Sequence, residues 1–501
     1  MIMPGNLLSY HTEMTTRQEG YLVIDIGTGN VRVAVCEPDG NIVSMARENV
    51  IYREDEKNAA AMSFDPNSLW KQIIAMAQGL VQETPQITIS AITASSQREG
   101  IVLVGKQGES LIGLPNHDHR GREWEAGIKQ KNRIYELTGR YPSSLFSALK
   151  LIGIKNETPA LYRRCEVMLS ISDWAQYQLC GVVGYEHSQA SETQLYDVER
   201  REWSDELCTL FGLDKSILPP LHISGQVQGT LLPGLAKQLG ISPKAKVVVG
   251  GADTQLAIKS TQPVPGDIVL VSGTTTPVVK IVSSYKLDDR ARTWTGRHVE
   301  VGEFVLEANA GVTGLNYQRL KEIFYPNEGY DVIERELEVL EDSQCVASLG
   351  SLLADEKVTL TKGGFIFNVP VSNQLTRAHF IRSALWDIAC CIKGNYDSLC
   401  EVDPYPKEYV WACGGGFQSK ILAHFIANLI NKKVLVKEGY RQASVMGGVL
   451  ICNEALGRTA QRDSTVEEIV PKESPLFEER YQEWKETRRE LHRIFTQEVI
   501  E

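Results

Sequence analysis

The strongest constraint on the fold is a device that occurs twice. Tyr21 to Ile26 is an apolar run ending in Gly27-Thr28-Gly29-Asn30, after which Val31, Val33 and Val35 alternate with Arg32 and Ala34 toward a Pro38-Asp39-Gly40 turn. About half a chain later, Ile268 to Val271 leads into Ser272-Gly273-Thr274-Thr275-Thr276 and another run, Val278 to Val282. Strand, glycine-threonine turn, strand, repeated in this way, predicts two lobes that begin with the same supersecondary unit. A chain of 501 residues is also too long for one hydrophobic core and comfortable for two. The apolar strand Lys246 to Gly251 sets the boundary near Gly250: an N-terminal tail over 1–20, a first lobe over 21–250 and a second over 251–501.

Between the repeated units, helices and strands alternate. Asp65-Pro66 supplies an N-cap and a first-turn proline for an amphipathic helix carrying Leu69, Trp70, Ile73, Ile74, Ala77, Leu80 and Val81. Ile87 to Ala94 and Ile101 to Val104 read as strands joined by the polar Ser95–Gly100 stretch. From Pro475, Phe477, Tyr481, Trp484, Leu491, Ile494, Phe495 and Val499 recur at mainly helical intervals, predicting a closing amphipathic helix. The class is α/β.

Composition narrows the partners. Lys and Arg total 52 against 63 Asp and Glu, a net charge of −11, so nucleic acid is not the expected ligand. No apolar run reaches the length of a membrane helix, and Met1 to Gly20 lacks the apolar stretch of a secretory signal, so the expected compartment is the cytoplasm. The ten cysteines form no C-x-x-C pair and are expected to be mostly buried small hydrophobes.

Three turns have the makings of phosphate ligands. In the first, glycine amides, Thr28, Asn30 and Arg32 could grip an anion while Asp25 at the strand end holds Mg²⁺ through water; an ordinary hairpin turn would use the same glycines. The second offers Gly273 and three threonine hydroxyls, with a threonine-rich β-turn as the plain alternative. The third, Tyr409 to Cys413 running into Gly414-Gly415-Gly416-Phe417-Gln418-Ser419 and a helix over 420–430, permits close backbone approach by a nucleotide, or simply tight packing. Two turns, one per lobe, would clamp a polyphosphate across a cleft. A dinucleotide fingerprint fails because Arg32 stands where a third glycine is needed and a strand follows; Gly100 to Gln107 fails as a P-loop because Gln107 replaces the Ser or Thr.

Asp253 follows Gly250-Gly251-Ala252 after an apolar strand, a position that suits a base for a substrate hydroxyl or a simple cap. Gln97, Arg98 and Glu99 could hydrogen-bond a polyhydroxylated substrate or form a solvated turn. Asn116-His117-Asp118-His119-Arg120 lacks the ligands of a metal site, so Asp118 and Arg120 are expected as polar cleft residues.

Asp25-Ile-Gly-Thr, Gly251-Ala-Asp253, Ser272-Gly-Thr-Thr and Gly414-Gly-Gly, joined by Ile171-Ser-Asp-Trp174 and Ala190-Ser-Glu-Thr193, resemble the FGGY carbohydrate kinases over about Tyr21 to Gly457. The resemblance implies the two-lobed actin-like ATPase (ribonuclease H-like) fold, ATP and Mg²⁺ as cofactors, and a small hydroxylated substrate bound in the cleft. It makes Asp253 the catalytic base, Asp25 the carboxylate near Mg²⁺, Thr28, Gly29, Asn30 and Arg32 the first phosphate loop, and Gly273, Thr274 and Thr275 the second. Gly414, Gly415, Gly416 and Gln418 match the adenosine site, although Phe417-Gln418-Ser419 departs from the commoner sequence, and Gln442 stands where the family usually has Glu. Gln97-Arg98-Glu99 is similar to the substrate-holding triplet of glycerol kinases, but Leu145 replaces their substrate tyrosine and the Met-His of xylulokinases is absent. The motifs most resemble autoinducer-2 kinases, which phosphorylate a linear dihydroxy-diketone derivative. Xylulokinase-like or glycerol-kinase-like activity, or an actin-like nucleotide switch acting on a protein, are the alternatives; a homodimer is a family analogy.

Overall fold

The first lobe's sheet is built from β1 (Gln18–Ile26), β2 (Asn30–Cys36), β3 (Ile42–Asn49), β4 (Ile87–Ser96), β5 (Val227–Thr230) and β6 (Lys246–Ala252), in the spatial order β5-β6-β4-β1-β2-β3. The second contains β7 (Ile268–Val271), β8 (Pro277–Val282), β9 (Trp294–Arg297), β10 (Phe304–Asn309), β11 (Tyr409–Cys413), β12 (Lys433–Lys437) and β13 (Val466–Ile469), in the order β9-β10-β8-β7-β11-β12-β13. Apart from β9 at the edge, the two have the same polarity. A three-stranded antiparallel meander (β3-β2-β1 and β10-β8-β7) is followed by two strands parallel to its last member (β4 and β6, β11 and β12) and closed by an antiparallel edge (β5 and β13). The repeated turn in the sequence therefore marks a repeated sheet topology.

This computed structural model describes residues 18–340, 344–356, 358–459, 465–472 and 475–496; most of the expected tail and Val499 lie outside them. Strands covered on both faces read as unbroken apolar runs, as in β1 and β7. Helix α1 (Pro66–Glu83) begins as expected: the Asp65 carboxylate accepts the Asn67 N–H at 3.0 Å, and Leu69, Ile73, Ile74, Ala77 and Leu80 face the core.

Helix α2 (Ile171–Cys180) covers β4 and β6, and α3 (Asp253–Thr261) leaves β6 directly to pack on β7 and β11 of the second lobe. Further on come α4 (Arg377–Val402), α5 (Lys420–Ile430), α6 (Ala443–Ala455) and α7 (Pro475–Thr496). Helix α6 lies against both α3 and β1, and two glycines make this approach feasible. A Cβ on Gly447 would fall 2.0 Å from the Leu256 carbonyl oxygen, and one on Gly448 would fall 2.7 Å from a Val23 methyl.

Helix α7 closes the second lobe through Tyr481, Trp484 and Arg488. Trp484 is 1% exposed, stacks on Tyr481 and donates its indole N–H to Asp387 at 2.9 Å; Arg488 makes a two-pronged pair with Glu356 at 2.6 and 2.7 Å. Ile494, grouped with the apolar face in the sequence, is exposed. All ten cysteines are free thiols, and every one but Cys400 is buried. Among the described residues no helix is long and apolar enough to cross a membrane.

Candidate active site

The parallel strands determine what meets at the cleft. Register pairs Asp25 with Ser95 and Ile26 with Ser96 across β1 and β4, and Ser95 with Gly251 and Ser96 with Ala252 across β4 and β6. The chain leaving β1 (Gly27-Thr28-Gly29), the chain leaving β4 (Gln97-Arg98-Glu99) and the chain leaving β6 (Asp253) thus emerge side by side at the carboxyl edge of one sheet, where open α/β sheets bind ligands. In the second lobe, Val271 is registered with Cys413, which sets Ser272–Thr276 beside Gly414–Gln418.

The first turn is held from beneath. Thr28 accepts from Tyr52 through its carbonyl at 2.5 Å and from Asn116 Nδ2 through its hydroxyl at 2.9 Å. Gln97, almost fully buried, spends its side chain here: Nε2 donates to the Gly27 carbonyl and the Tyr52 hydroxyl, and Oε1 accepts the Asn116 N–H. Gly29 is left exposed, with Thr28 and Asn30 half-buried. Arg32, opposite Asp25 in the hairpin register, forms an ion pair with its carboxylate and donates to Gln442 Oε1 at 2.7 Å. Asp25 also accepts from Ser95 at 2.7 Å and from Ser444 of α6 at 2.9 Å. The residue that departs from the family's usual Glu, Gln442, is therefore a ligand of the loop arginine.

The second and third turns form one unit. The Ser272 N–H donates to the Cys413 carbonyl at 2.8 Å, and the Ser272 carbonyl accepts the Gly416 N–H at 3.2 Å. Gly414 has φ +96°, and a Cβ there would lie 2.3 Å from the Ser272 carbonyl oxygen, so only glycine allows this contact. A 3₁₀ turn over Gly415–Gln418 intervenes before Ser419, which caps α5 by accepting the Leu422 N–H. Gly273, Thr274 and Gly415 are exposed and Thr275, Gly416 and Gln418 half-buried; the Gly273 and Gly416 amides are spent on the Thr275 and Ser272 carbonyls, which leaves the threonine hydroxyls facing outward.

Arg98 and Glu99 are not a solvated turn: they are 7% and 6% exposed. Arg98 is gripped by Glu307 of β10, with Nη1–Oε2 at 2.5 Å and Nη2–Oε1 at 3.0 Å, and Glu192 lies 3.9 Å away. Burial opposes the charge on Arg98, but Glu307, Glu192 and Glu99 outweigh it and raise its pKa. Glu99 adopts a left-handed backbone with φ +60°, and burial pushes its carboxyl up to about 8 over the pull of Arg98. Such strain in a non-glycine residue persists where the surroundings impose it, often at functional sites.

Asp253 is half-buried at the first turn of α3, accepting the Thr254 N–H at 2.6 Å. Desolvation, then the negative charge of Asp25, push its pKa up to about 6, with Arg98 pulling the other way. Asp25, Arg98 and Asp253 thus act on one another through space. Asp118, expected in the cleft, is fully buried: it accepts from Arg120 Nε and from the Met62 N–H at 2.7 Å, and Arg120 also donates to the Met62 carbonyl at 3.1 Å. That clasp ties the Asn116–Arg120 stretch to the strand Met62–Phe64. Among the described residues no cluster of His, Cys, Asp and Glu could hold a metal ion by itself.

Sequence reading missed Glu307, Tyr52 and Ser444, and used Glu192 only as part of a motif without giving it a role. Glu307 leaves a signal, since it is a lone acid within the buried run Phe-Val-Leu-Glu-Ala. The contacts of Tyr52 and Ser444 require two segments distant in sequence to meet, which spacing does not reveal.

Two topologically matched lobes with loops of both facing one cleft define an actin-like ATPase architecture, and solved structures share it. A xylulose kinase from Lactobacillus acidophilus superimposes with a TM-score of 0.81, covering 95% of this chain and 98% of that one at 18% identity. A Plasmodium falciparum glycerol kinase with ADP gives 0.82, with the same coverage and identity. Residues 20–259 match the N-terminal domain of the FGGY family of carbohydrate kinases and residues 361–456 its C-terminal domain. A relative named as a sugar kinase, YoaC, of Bacillus subtilis (strain 168) is 50% identical over 94% of this chain and 97% of its own. An autoinducer-2 kinase of Yersinia enterocolitica is 24% identical over 91% and 90%. The chain belongs to the FGGY family of carbohydrate kinases. It is a phosphotransferase with an alcohol acceptor, which sets aside the nucleotide-switch reading.

Proposed function

We propose that this kinase transfers the γ-phosphoryl group of ATP to a hydroxyl of a small linear sugar, polyol or autoinducer-2-like compound, with Asp253 as the base. The observation that carries the reading is the setting of Asp253: a half-buried carboxylate at the carboxyl edge of β6, poised at about 6, beside Arg98 and Asp25. A base of that pKa is ionised at neutral pH yet basic enough to take a hydroxyl proton as the phosphorus–oxygen bond forms. Thr28, Gly29, Asn30 and Arg32 from residues 21–250, and Gly273, Thr274 and Thr275 from residues 251–501, hold the phosphates from opposite sides. Gly414, Gly415, Gly416 and Gln418 border the adenosine.

Arg98, oriented by Glu307, and Glu99, whose carboxyl pKa burial raises, hold substrate hydroxyls. Gln97 shapes the first loop, and Asp118 is left out of the substrate set because its contacts are with Arg120 and Met62. Mg²⁺ would supply charge neutralisation on the nucleotide. Asp25 fits it as a ligand through water, since three of about four lone-pair positions on its carboxylate are engaged, by Ser95, Ser444 and Arg32.

A coupled ADP-release assay with a panel of pentuloses, linear polyols, glycerol and autoinducer-2 tests the reading. A linear ketose or autoinducer-2 is expected to give the highest kcat/KM. ATP turnover indifferent to every member of the panel would refute it.

A further inference from the structure

Behind the catalytic strand lies a second cavity, bordered by Glu186, His187, Arg201, Arg297, His298 and the turn through Val301 and Gly302. Its charges are unbalanced. Arg297, 5% exposed and 4.0 Å over the Phe304 ring, donates its guanidinium to the carbonyls of Val198 and Glu199, at 2.7 and 2.8 Å, and lies beside the Tyr196 hydroxyl. The half-exposed Arg201 side chain has no hydrogen-bond or carboxylate partner among the described residues, while its N–H donates to the Asp197 carbonyl at 2.9 Å. Arg201 also holds φ +62°, as the last residue of the tight hairpin loop joining Tyr196–Asp197 to Glu202–Trp203, where glycine would be unstrained. Of the acids nearby, Asp197 acts on Arg297 from the hairpin and is shared with Arg200 at 3.8 Å. Burial pushes the Glu186 carboxyl up to about 8 against the hydrogen bonds from Ser188 and Gln189, and Glu300 is engaged by Lys259.

Independently of the arginines, His298 is 4% exposed and its Nδ1 is buried with no partner. A buried polar atom of this kind costs stability unless something satisfies it. We propose that the cavity is an oxyanion site that takes one phosphate group, free or carried by a small phosphorylated metabolite, between Arg201, Arg297 and His298. Two guanidinium groups suit a phosphate's several acceptors, and a neutral imidazole presents a further N–H donor.

The site is wired to the catalytic strand. Glu186 accepts the Ser188 N–H at 2.8 Å and the Ser188 hydroxyl, and that hydroxyl in turn accepts the Ala252 N–H at 3.0 Å, one residue before Asp253. An anion held against this wall would stiffen the segment that carries the base.

The test is calorimetric titration of the full chain, with ADP saturating the cleft, using potassium phosphate against potassium chloride at equal ionic strength and, in a second arm, glycerol 3-phosphate. Arg201→Gly removes the cation and relaxes the backbone, so it should fold normally; Arg201→Lys keeps a charge. Arg201→Gly is expected to weaken phosphate or ester binding at least tenfold, Arg201→Lys less, with the KM for ATP unchanged in both. Binding of inorganic phosphate as tight as that of the ester identifies the free ion; binding of the ester alone identifies a metabolite; either supports the site. If neither titrant shows affinity that depends on Arg201, the proposal is overturned.

Discussion

Replacing Asp253 by asparagine separates chemistry from folding in one variant. Asparagine keeps the Oδ1 that accepts the Thr254 N–H but cannot take a proton from a substrate hydroxyl, so kcat should fall by about two to four orders of magnitude. Stability should move the other way. The wild-type carboxyl rises from 3.8 to about 6 on folding. The native state therefore binds more protons than the unfolded one between those values, and wild-type stability from this group falls as pH rises through that window. Two pKa units amount to about 3 kcal/mol, an upper bound at a half-buried site. Between pH 4 and pH 8 the variant should thus gain up to about 3 kcal/mol on the wild type, about 3 °C in Tm for a chain of this length unfolding as one unit. Scanning calorimetry across that range, paired with a coupled kinase assay, reads both effects. In the wild type the same group should produce an acid limb in kcat/KM near pH 6. A Tm difference that stays constant with pH, or near-normal turnover of the variant, would falsify the assignment of a desolvated base to this position.

Other substitutions probe the supports of the site. Glu307→Ala leaves the Arg98 charge buried without its two-pronged partner; it should cost about 3–5 kcal/mol in denaturant unfolding and raise the KM for the sugar more than that for ATP, while Glu307→Gln should lose less. Gly414→Ala forces a methyl group against Ser272 at a positive φ, and calorimetric titration with ADP should show affinity at least tenfold weaker with the sugar-binding residues untouched. Trp484→Ala removes a stacked, fully buried ring and the donor to Asp387, for an expected loss of about 3–5 kcal/mol in the thermal stability of the second lobe and little change in KM.

Local chemistry made much of this fold legible. The paired glycine-threonine turns predicted matching lobes because a strand, tight turn and strand is set by nearby residues, and the shared sheet polarity followed. Asp65-Pro66 marked the start of α1 because capping is a contact across two residues. The sequence could not show that Gln97, polar and following a strand, would turn inward to brace the Gly27 carbonyl, or that Asp118 would fold back on Arg120 and Met62. Side-chain direction at a strand end depends on which distant segment arrives to meet it. Arg98 is the sharpest case: its orientation is fixed by Glu307, 209 positions away, on a strand of the other lobe.

Helix α6 has a consequence for how the molecule can move. Its glycines rest on Leu256 of α3 and Val23 of β1, while Ser444 at its start touches the same Asp25 that pairs with Arg32. The helix works as an axle running through both halves, with no clearance for even one methyl group. Rotation of one half about it cannot leave Asp25 unaffected, because the bearing surface and the carboxylate's own partner belong to the same rod. Opening wide enough to release a nucleotide should therefore also loosen the grip on Asp25, so that the cleft unlocks and disarms in a single stroke.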